Sequence, residues 1–330
     1  MSRQPTLAES VGNIPPIARF FTVSTLSVCM LISLGIIDPQ QMIFHPSIYI
    51  EEFEYTKAVF TMGTWTEAVK SVLLLVFECY RCFTSFLVPA GFLDGNRMGA
   101  VLDIYFFYKF ANNVEIGKFK GNFPDCLWFT LICGTSILTM TVGYYFYDPT
   151  RITRHHESML LCITYIWARG QKNSIVNFLG IVPIKAYYLP MFTLFIKAVV
   201  HGYDGLVDSS MGIAGGYLYQ CLQSSTAPIY NLFPQFYRKF YSSSIYSRNR
   251  VGTNQVSLAD DFINDTVFDR GYLPAPSWVY SILKYPVDRS SKRITAFGKP
   301  IEPVRSDLKS EASATTTGSY FKGRGFRLGS

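Results

Sequence analysis

The chain has 330 residues, of which 49% are hydrophobic and only 16% charged, with a formal net charge of +7. Soluble domains usually carry about 25% charged residues, and the mean hydropathy here is positive, +0.18. This excludes a disordered chain, a coiled coil and a charge-rich nucleic-acid binder. The apolar residues fall in runs, which points to an integral membrane protein.

Met1 to Gly12 is polar and carries both signs of charge, and the first apolar run has no small-residue cleavage site. The start therefore reads as a retained span, not a cleaved signal. Phe20 to Ile37 is apolar apart from Ser and Thr, and hydroxyls there can bond back to helix carbonyls. Pro15 and Pro16 precede it, and Arg19 can snorkel. Asp38 to about Arg97 is mixed; its apolar piece from Val72 to Pro89 reads as a span by hydropathy, although Glu78 and Arg81 interrupt it. Gly91 to Gly99 reads as a loop and Met98 to Phe110 as a short aromatic helix holding Asp103 and Lys109. Leu127 to Tyr147 is the clearest span. Met159 to Trp167, Tyr187 to Val200 with Lys197, and Leu206 to Leu222 with Asp208 follow. Several of these fall below the ~17 residues an ordinary bilayer wants, as packed helices or a thinned membrane allow.

Residues 223–330 lack an apolar run and accumulate Ser, Thr and Asn. They read as a solvated, largely disordered tail. Arg238, Lys239, Arg248 and Arg250 soon after the last span favour a cytosolic tail.

The seven cysteines sit in or beside apolar runs, as buried thiols do. Cys79 and Cys82 form a lone C-x-x-C, a weak metal or redox signal. The only Gly-x-Ser is Gly134-Thr135-Ser136, and none of His45, His155, His156 and His201 lies mid-span. Serine chemistry needs a base at the nucleophile's depth, so Ser136 reads as a helix-packing residue. His155-His156-Glu157 reads as a polar loop, since no further His or Cys set completes a metal site. There is no phosphate loop or dinucleotide fingerprint, so no cofactor is expected.

Gly212 and Gly216 form a G-x-x-x-G in the last span. Glycines four apart share a helix face and admit a close backbone; spacing alone leaves open whether they shape the bundle or are incidental. The C-terminus carries Phe321, Gly323, Gly325, Phe326, Leu328 and Gly329. Phe326 and Leu328 share one face of an extended strand, which suits a peptide docking on a partner's groove or edge. One Arg/Gly copy is too little for RNA.

Together these residues resemble the derlin family, rhomboid-like pseudoproteases of the endoplasmic reticulum. Asn13-Ile14-Pro15-Pro16-Ile17-Ala18-Arg19 resembles the family's Ile-Pro-Pro-x-Thr-Arg start, with Ala18 in place of Thr. Ile104 to Tyr108 and the Glu115-x-Gly117-x-Phe119 exit resemble the second span. Tyr165-Ile166-Trp167-Ala168 resembles the fourth span, and Lys185 to Pro190 the entry to the fifth. Gly212 and Gly216 fall on the family's last-span G-x-x-x-G. Phe321 to Gly329 resembles the box through which tail-bearing derlins bind the AAA ATPase known as valosin-containing protein. Tyr80-Arg81 stands where the family has Trp-Arg in its first lumenal loop, and residues around Glu51 to Leu74 have no counterpart.

The resemblance implies an all-α, polytopic, rhomboid-like six-helix bundle in the endoplasmic-reticulum membrane, with both termini cytosolic. It implies an N-terminus at 1–19, a transmembrane domain at 20–222 and a tail at 223–330 ending in the ATPase box. It also implies no catalysis and no cofactor. The implied role is retrotranslocation of misfolded clients, alongside a membrane-embedded ubiquitin ligase complex and in a homo- or hetero-oligomer, with no nucleic acid.

Overall fold

Two prolines open the first helix, α1 (Pro16–Ser33), where their missing N–H groups cost nothing. The computed structural model describes residues 14–62, 64–93, 95–172, 174–178, 182–224 and 271–285. After α1 comes a 3-10 turn at Pro39–Met42, then α2 (Pro46–Met62) and α3 (Trp65–Glu78). Thr64 and Glu67 form a capping box that starts α3. The Tyr49 hydroxyl near the start of α2 donates to the Glu78 carbonyl at the end of α3, 2.6 Å away. The two helices are therefore an antiparallel hairpin, and residues 51–74 belong to it.

The apolar stretch from Val72 to Pro89, which reads as a span by hydropathy, is not one unbroken helix. It covers the end of α3, then α4 (Tyr80–Thr84) and a 3-10 turn at Ser85–Leu87. At 14 residues, α3 is about 21 Å long, short of the ~30 Å hydrocarbon core. At Cys79 the ladder tightens to i,i+3 bonds, Cys79 N–H to Val76 and Cys82 N–H to Cys79, both 3.2 Å. Beyond it Phe86, Leu87 and Val88 are buried in the main core. The chain folds back onto the bundle because these three side chains find apolar partners there.

The stretch Gly91 to Gly99, expected as a loop, holds α5 (Ala90–Leu93) and the first turn of α6 (Arg97–Gly117). Gly91 lies so close to Asn96 and Ala100 that a Cβ would have no room. Helix α6 is longer than the sequence suggested, because Asn112, Asn113 and Glu115 continue it past the apolar run. Glu115 is buried and accepts the N–H groups of Ile17 at 3.1 Å and Ala18 at 2.9 Å. It supplies the N-terminal cap that α1 lacks locally and meets the positive end of its dipole. The start of α1 thus meets the end of α6, and the two run antiparallel.

Lys120 and Gly121, at φ 51° and 69°, turn the chain into α7 (Phe123–Tyr145). Helix α8 (His155–Gly170) begins before the apolar run that Met159 opens, with His155-His156-Glu157 as its first turn. These three are buried and helical, which corrects their reading as a polar loop. A β-hairpin of β1 (Ile175–Phe178) and β2 (Val182–Lys185) follows, with Ile175 opposite Lys185.

Helix α9 (Leu189–Ser224) is two helices joined at Gly202, whose φ of 64° and ψ of −146° reverse the chain. On the first arm Lys197 reaches Glu157 at the start of α8, while Tyr187 just before it stacks under Arg169 near the end. That arm is antiparallel to α8. On the second arm Gly212 faces Ser158 and Gly216 faces Cys162, so it runs parallel to α8. Counting both arms, six helices form the bundle among the described residues: α1, α6, α7, α8 and the two arms of α9. Helices α1 and α7 are long and apolar enough to cross a membrane by length and composition. The shared core includes Phe21, Phe107, Phe129, Cys133, Ile137, Leu161 and Tyr219.

One part of the tail departs from its reading as structureless. Residues 271–285, with α10 (Ser277–Ile282), pack on the bundle through Ala275, Val279 and Tyr280.

Replacing Glu115 with Ala strands two buried N–H groups, at about 1–3 kcal/mol each. Thermal unfolding in detergent is expected several degrees lower for Glu115→Ala, and between that and the parent for Glu115→Gln. An unchanged midpoint would show that the long-range cap contributes nothing.

Candidate functional site: a glycine seam beside a buried charge network

The second arm of α9 approaches α8 on its glycine face. A Cβ on Gly212 would overlap the Ser158 carbonyl and lie 3.0 Å from the Leu161 Cβ. A Cβ on Gly216 would lie 2.9 Å from the Tyr165 ring and 3.2 Å from the Cys162 carbonyl. Gly215, on the flank, would meet Ile137 of α7 at 3.3 Å. Small residues are what let helix backbones come this near in lipid. The seam is held at its upper end by a hydrogen bond, Ser158 Oγ to the Asp208 carbonyl at 2.9 Å.

Charged side chains cluster beside this seam, at the end of the bundle where α8 begins. Lys197 sits between two carboxylates, 2.9 and 3.0 Å from the Asp103 oxygens and 3.0 Å from Glu157. Arg151 reaches Asp204 at 2.9 Å and Asp208 at 2.7 Å. Arg154 donates its backbone N–H to Asp208 at 3.3 Å. Asp208 and Glu157 are fully buried. Charges inside a membrane bundle are tolerated when they pair in this way, because an unpaired one is expensive. Above them lies an open polar cleft of about 390 Å³, lined by Gln40, Arg151, Arg154 and Asp204 among others.

The histidines belong to the same end. His156 donates Nδ1–H to the Phe86 carbonyl at 2.8 Å and stacks on Phe107, with ring centroids 5.1 Å apart. A carbonyl only accepts, so the tautomer is fixed. His155 Nε2 lies 3.1 Å from the Thr141 hydroxyl, which also donates to Ile137 O at 3.0 Å. Ser136 donates to the Ile132 carbonyl at 2.8 Å. Among the described residues no group of three or more His, Cys, Asp or Glu is placed to hold a metal ion.

Tyr80 and Arg81 act on the loop after α1. The Tyr80 hydroxyl donates to Gln41 O at 2.9 Å, and Arg81 Nη1 to Gln40 O at 3.4 Å. Arg81 is also paired with Glu78, and Thr84 donates to Met42 O at 2.9 Å. The pair thus clips the 3-10 turn Pro39–Met42 to the base of the hairpin. The terminal residues Phe321, Gly323, Gly325, Phe326, Leu328 and Gly329 lie outside the described residues.

Known proteins are similar to this chain over most of its length. The sequence profile of the Der1-like family matches residues 64–257, more than half of the chain. The chain belongs to the Der1-like family. DER1-like family member protein 1 of Saccharomyces cerevisiae is 25% identical over 357 aligned residues, covering 96% of this chain and 89% of that protein. Derlin-1 of Arabidopsis thaliana is 21% identical over 76% of this chain and 81% of its own. Derlin-1 of Homo sapiens is 22% identical over 63% and 69%. The helical bundle described here is therefore that of a Der1-like membrane protein.

The charge network was signalled in the sequence only as Asp103, Lys197 and Asp208 interrupting apolar runs. Glu157, Arg151 and Arg154 lie in a segment whose polarity resembles a loop, and Asp204 lies between the two last apolar runs. Glu115 was visible as a family residue without a physical task.

Gly212→Ala forces the seam apart, and overpacking of this kind costs about 1–3 kcal/mol. Gly143, in α7 with nothing within 4 Å of a Cβ, is the control, since Ala there gains up to about 1 kcal/mol of helix propensity. Unfolding midpoints are expected to fall for the first variant and hold or rise for the second. Equal midpoints would remove the close approach as a stabilising feature. In the same assay Tyr80→Phe removes one exposed hydrogen bond, about 0.5–1.5 kcal/mol. Protease cleavage between residues 34 and 45 is expected to become faster, while cleavage elsewhere stays the same.

Proposed function

We propose that this protein is a non-catalytic component of endoplasmic-reticulum-associated degradation. It aids retrotranslocation of misfolded membrane or lumenal clients and recruits the valosin-containing AAA ATPase through residues 321–329. On this reading it lies in the endoplasmic-reticulum membrane with both termini cytosolic and residues 20–222 as its transmembrane unit. It works beside a membrane-embedded ubiquitin ligase complex, as an oligomer of itself or with relatives. Membership of the Der1-like family carries the reading. Two physical features support it. At 16 residues, α8 is about 24 Å long, below the usual hydrocarbon thickness, as packing inside the bundle or a locally thinned bilayer allows. Thinning lowers a barrier of about 2.5–3.5 kcal/mol for each charged residue carried through mid-membrane. The buried charge network also offers polar surroundings at one end of the bundle.

The rival reading is an intramembrane serine protease using Ser136. The engagement of Ser136 with Ile132, and of the histidines with Phe86 and Thr141, favours the non-catalytic role. A lipid-regulatory scaffold is compatible with the same bundle and differs in keeping its effect without the tail.

Deleting residues 321–330 is expected to abolish co-purification of the ATPase, and undiminished recovery would end the recruitment role. Gly212→Leu is expected to impair client dislocation with ATPase binding intact. Client cleavage that disappears in Ser136→Ala would decide for the protease.

A further inference from the structure

Residues 271–285 occupy a site at the opposite end of the bundle from the charge network. Asp125, in the first turn of α7, is fully buried and accepts from two groups of this segment. The Ala275 N–H reaches its Oδ1 at 2.8 Å and the Tyr280 hydroxyl at 2.6 Å. Asn122 pairs with Asp125 and donates to the Tyr280 oxygen at 2.9 Å. Tyr219, near the end of α9, has its hydroxyl 3.2 Å from the Leu273 N–H, which donates to it. Aromatic contacts complete the site: Phe119 with Tyr272 at 5.4 Å, and Trp128 edge-on to Trp278 at 5.9 Å. Positive φ at Gly271 (78°) and Lys284 (49°) turns the chain at both ends of the segment.

The groove thus reads a peptide that is extended over 272–276 and helical over 277–282. Three of its features are specific: a buried carboxylate, a tyrosine hydroxyl as acceptor and the half-buried indole of Trp128. A buried carboxylate left without donors is costly, so the face of the bundle is built for an occupant. We propose that this site is a clip for the protein's own tail, which fastens the tail to the bundle at a second point beyond Ser224. The clip stands apart from the ATPase reading, since its contacts involve neither residues 321–329 nor any partner. It bears on that reading through reach. From residue 285, position 321 lies at most about 130 Å away along the chain, against about 350 Å from residue 224, whatever its conformation. A tighter tether raises the local concentration of whatever the terminal peptide holds.

The test is energy transfer in the full chain reconstituted in nanodiscs, with Cys79 and Cys82 replaced by Ser. Donor and acceptor fluorophores are attached through Lys120→Cys, beside the groove, and Asp288→Cys, just past the segment. High transfer is expected, falling at least twofold when Trp278→Ala and Tyr280→Ala are added. Both changes lie on the tail, so the bundle keeps its own contacts. Low transfer in the parent, or the same transfer in the variant, would overturn the clip. Comparable transfer between separately labelled copies that are then mixed would overturn attachment within one chain.

Discussion

How closely the second arm of α9 lies against α8 governs the arrangement at the end of the bundle where α8 begins. The missing side chain of Gly212 lets the Ser158 carbonyl come into contact. That contact sets the depth at which Asp208 meets Ser158, Arg151 and the Arg154 backbone. In lipid there is little hydrophobic drive between helices, so packing and internal polar bonds must supply it. The seam supplies the packing and the charges supply the bonds. Neither is complete without the other: a wider seam would leave Asp208 short of its partners in a medium that punishes an unpaired charge.

The same economy of polar groups appears at the other end. Glu115 caps a helix ninety-eight positions away from its own place in the chain, and Asp125 gathers donors from a segment a further 150 positions on. Each carboxylate answers a local shortage, an uncapped helix start in one case and an exposed groove in the other. Long-range caps of this kind tie the order of the helices to the chemistry of single side chains.

What was legible in the sequence follows from this. Helices α1 and α7 were visible because their apolar runs match their lengths. Helices α6 and α8 were visible only in part. Their ends are built from Asn, His and Glu, whose partners lie on other elements (the α1 start for Glu115, the Phe86 carbonyl for His156, Lys197 for Glu157), so they escape any measure that scores residues singly. Val72 to Pro89 misled for the opposite reason: only its last residues, Phe86, Leu87 and Val88, enter the core, while Leu73, Val76 and Phe77 stay exposed, and a run of apolar residues looks the same either way. The docked segment at 271–285 was illegible because Asp125, Asn122 and Tyr219 recognise it through bonds whose partners are distant in sequence. The G-x-x-x-G spacing located Gly212 and Gly216 but not their neighbours, Ser158 and Cys162, which lie on another helix.

The reversal at Gly202 has a practical corollary. A single residue joins the arms of α9, and Gly205 is already crowded against Lys197 and His201. An epitope or glycosylation tag inserted there would act as a wedge and split the two arms, misreporting the orientation it was meant to record. The turn between α2 and α3, flanked by the exposed Thr61 and Thr64, is the place to put one.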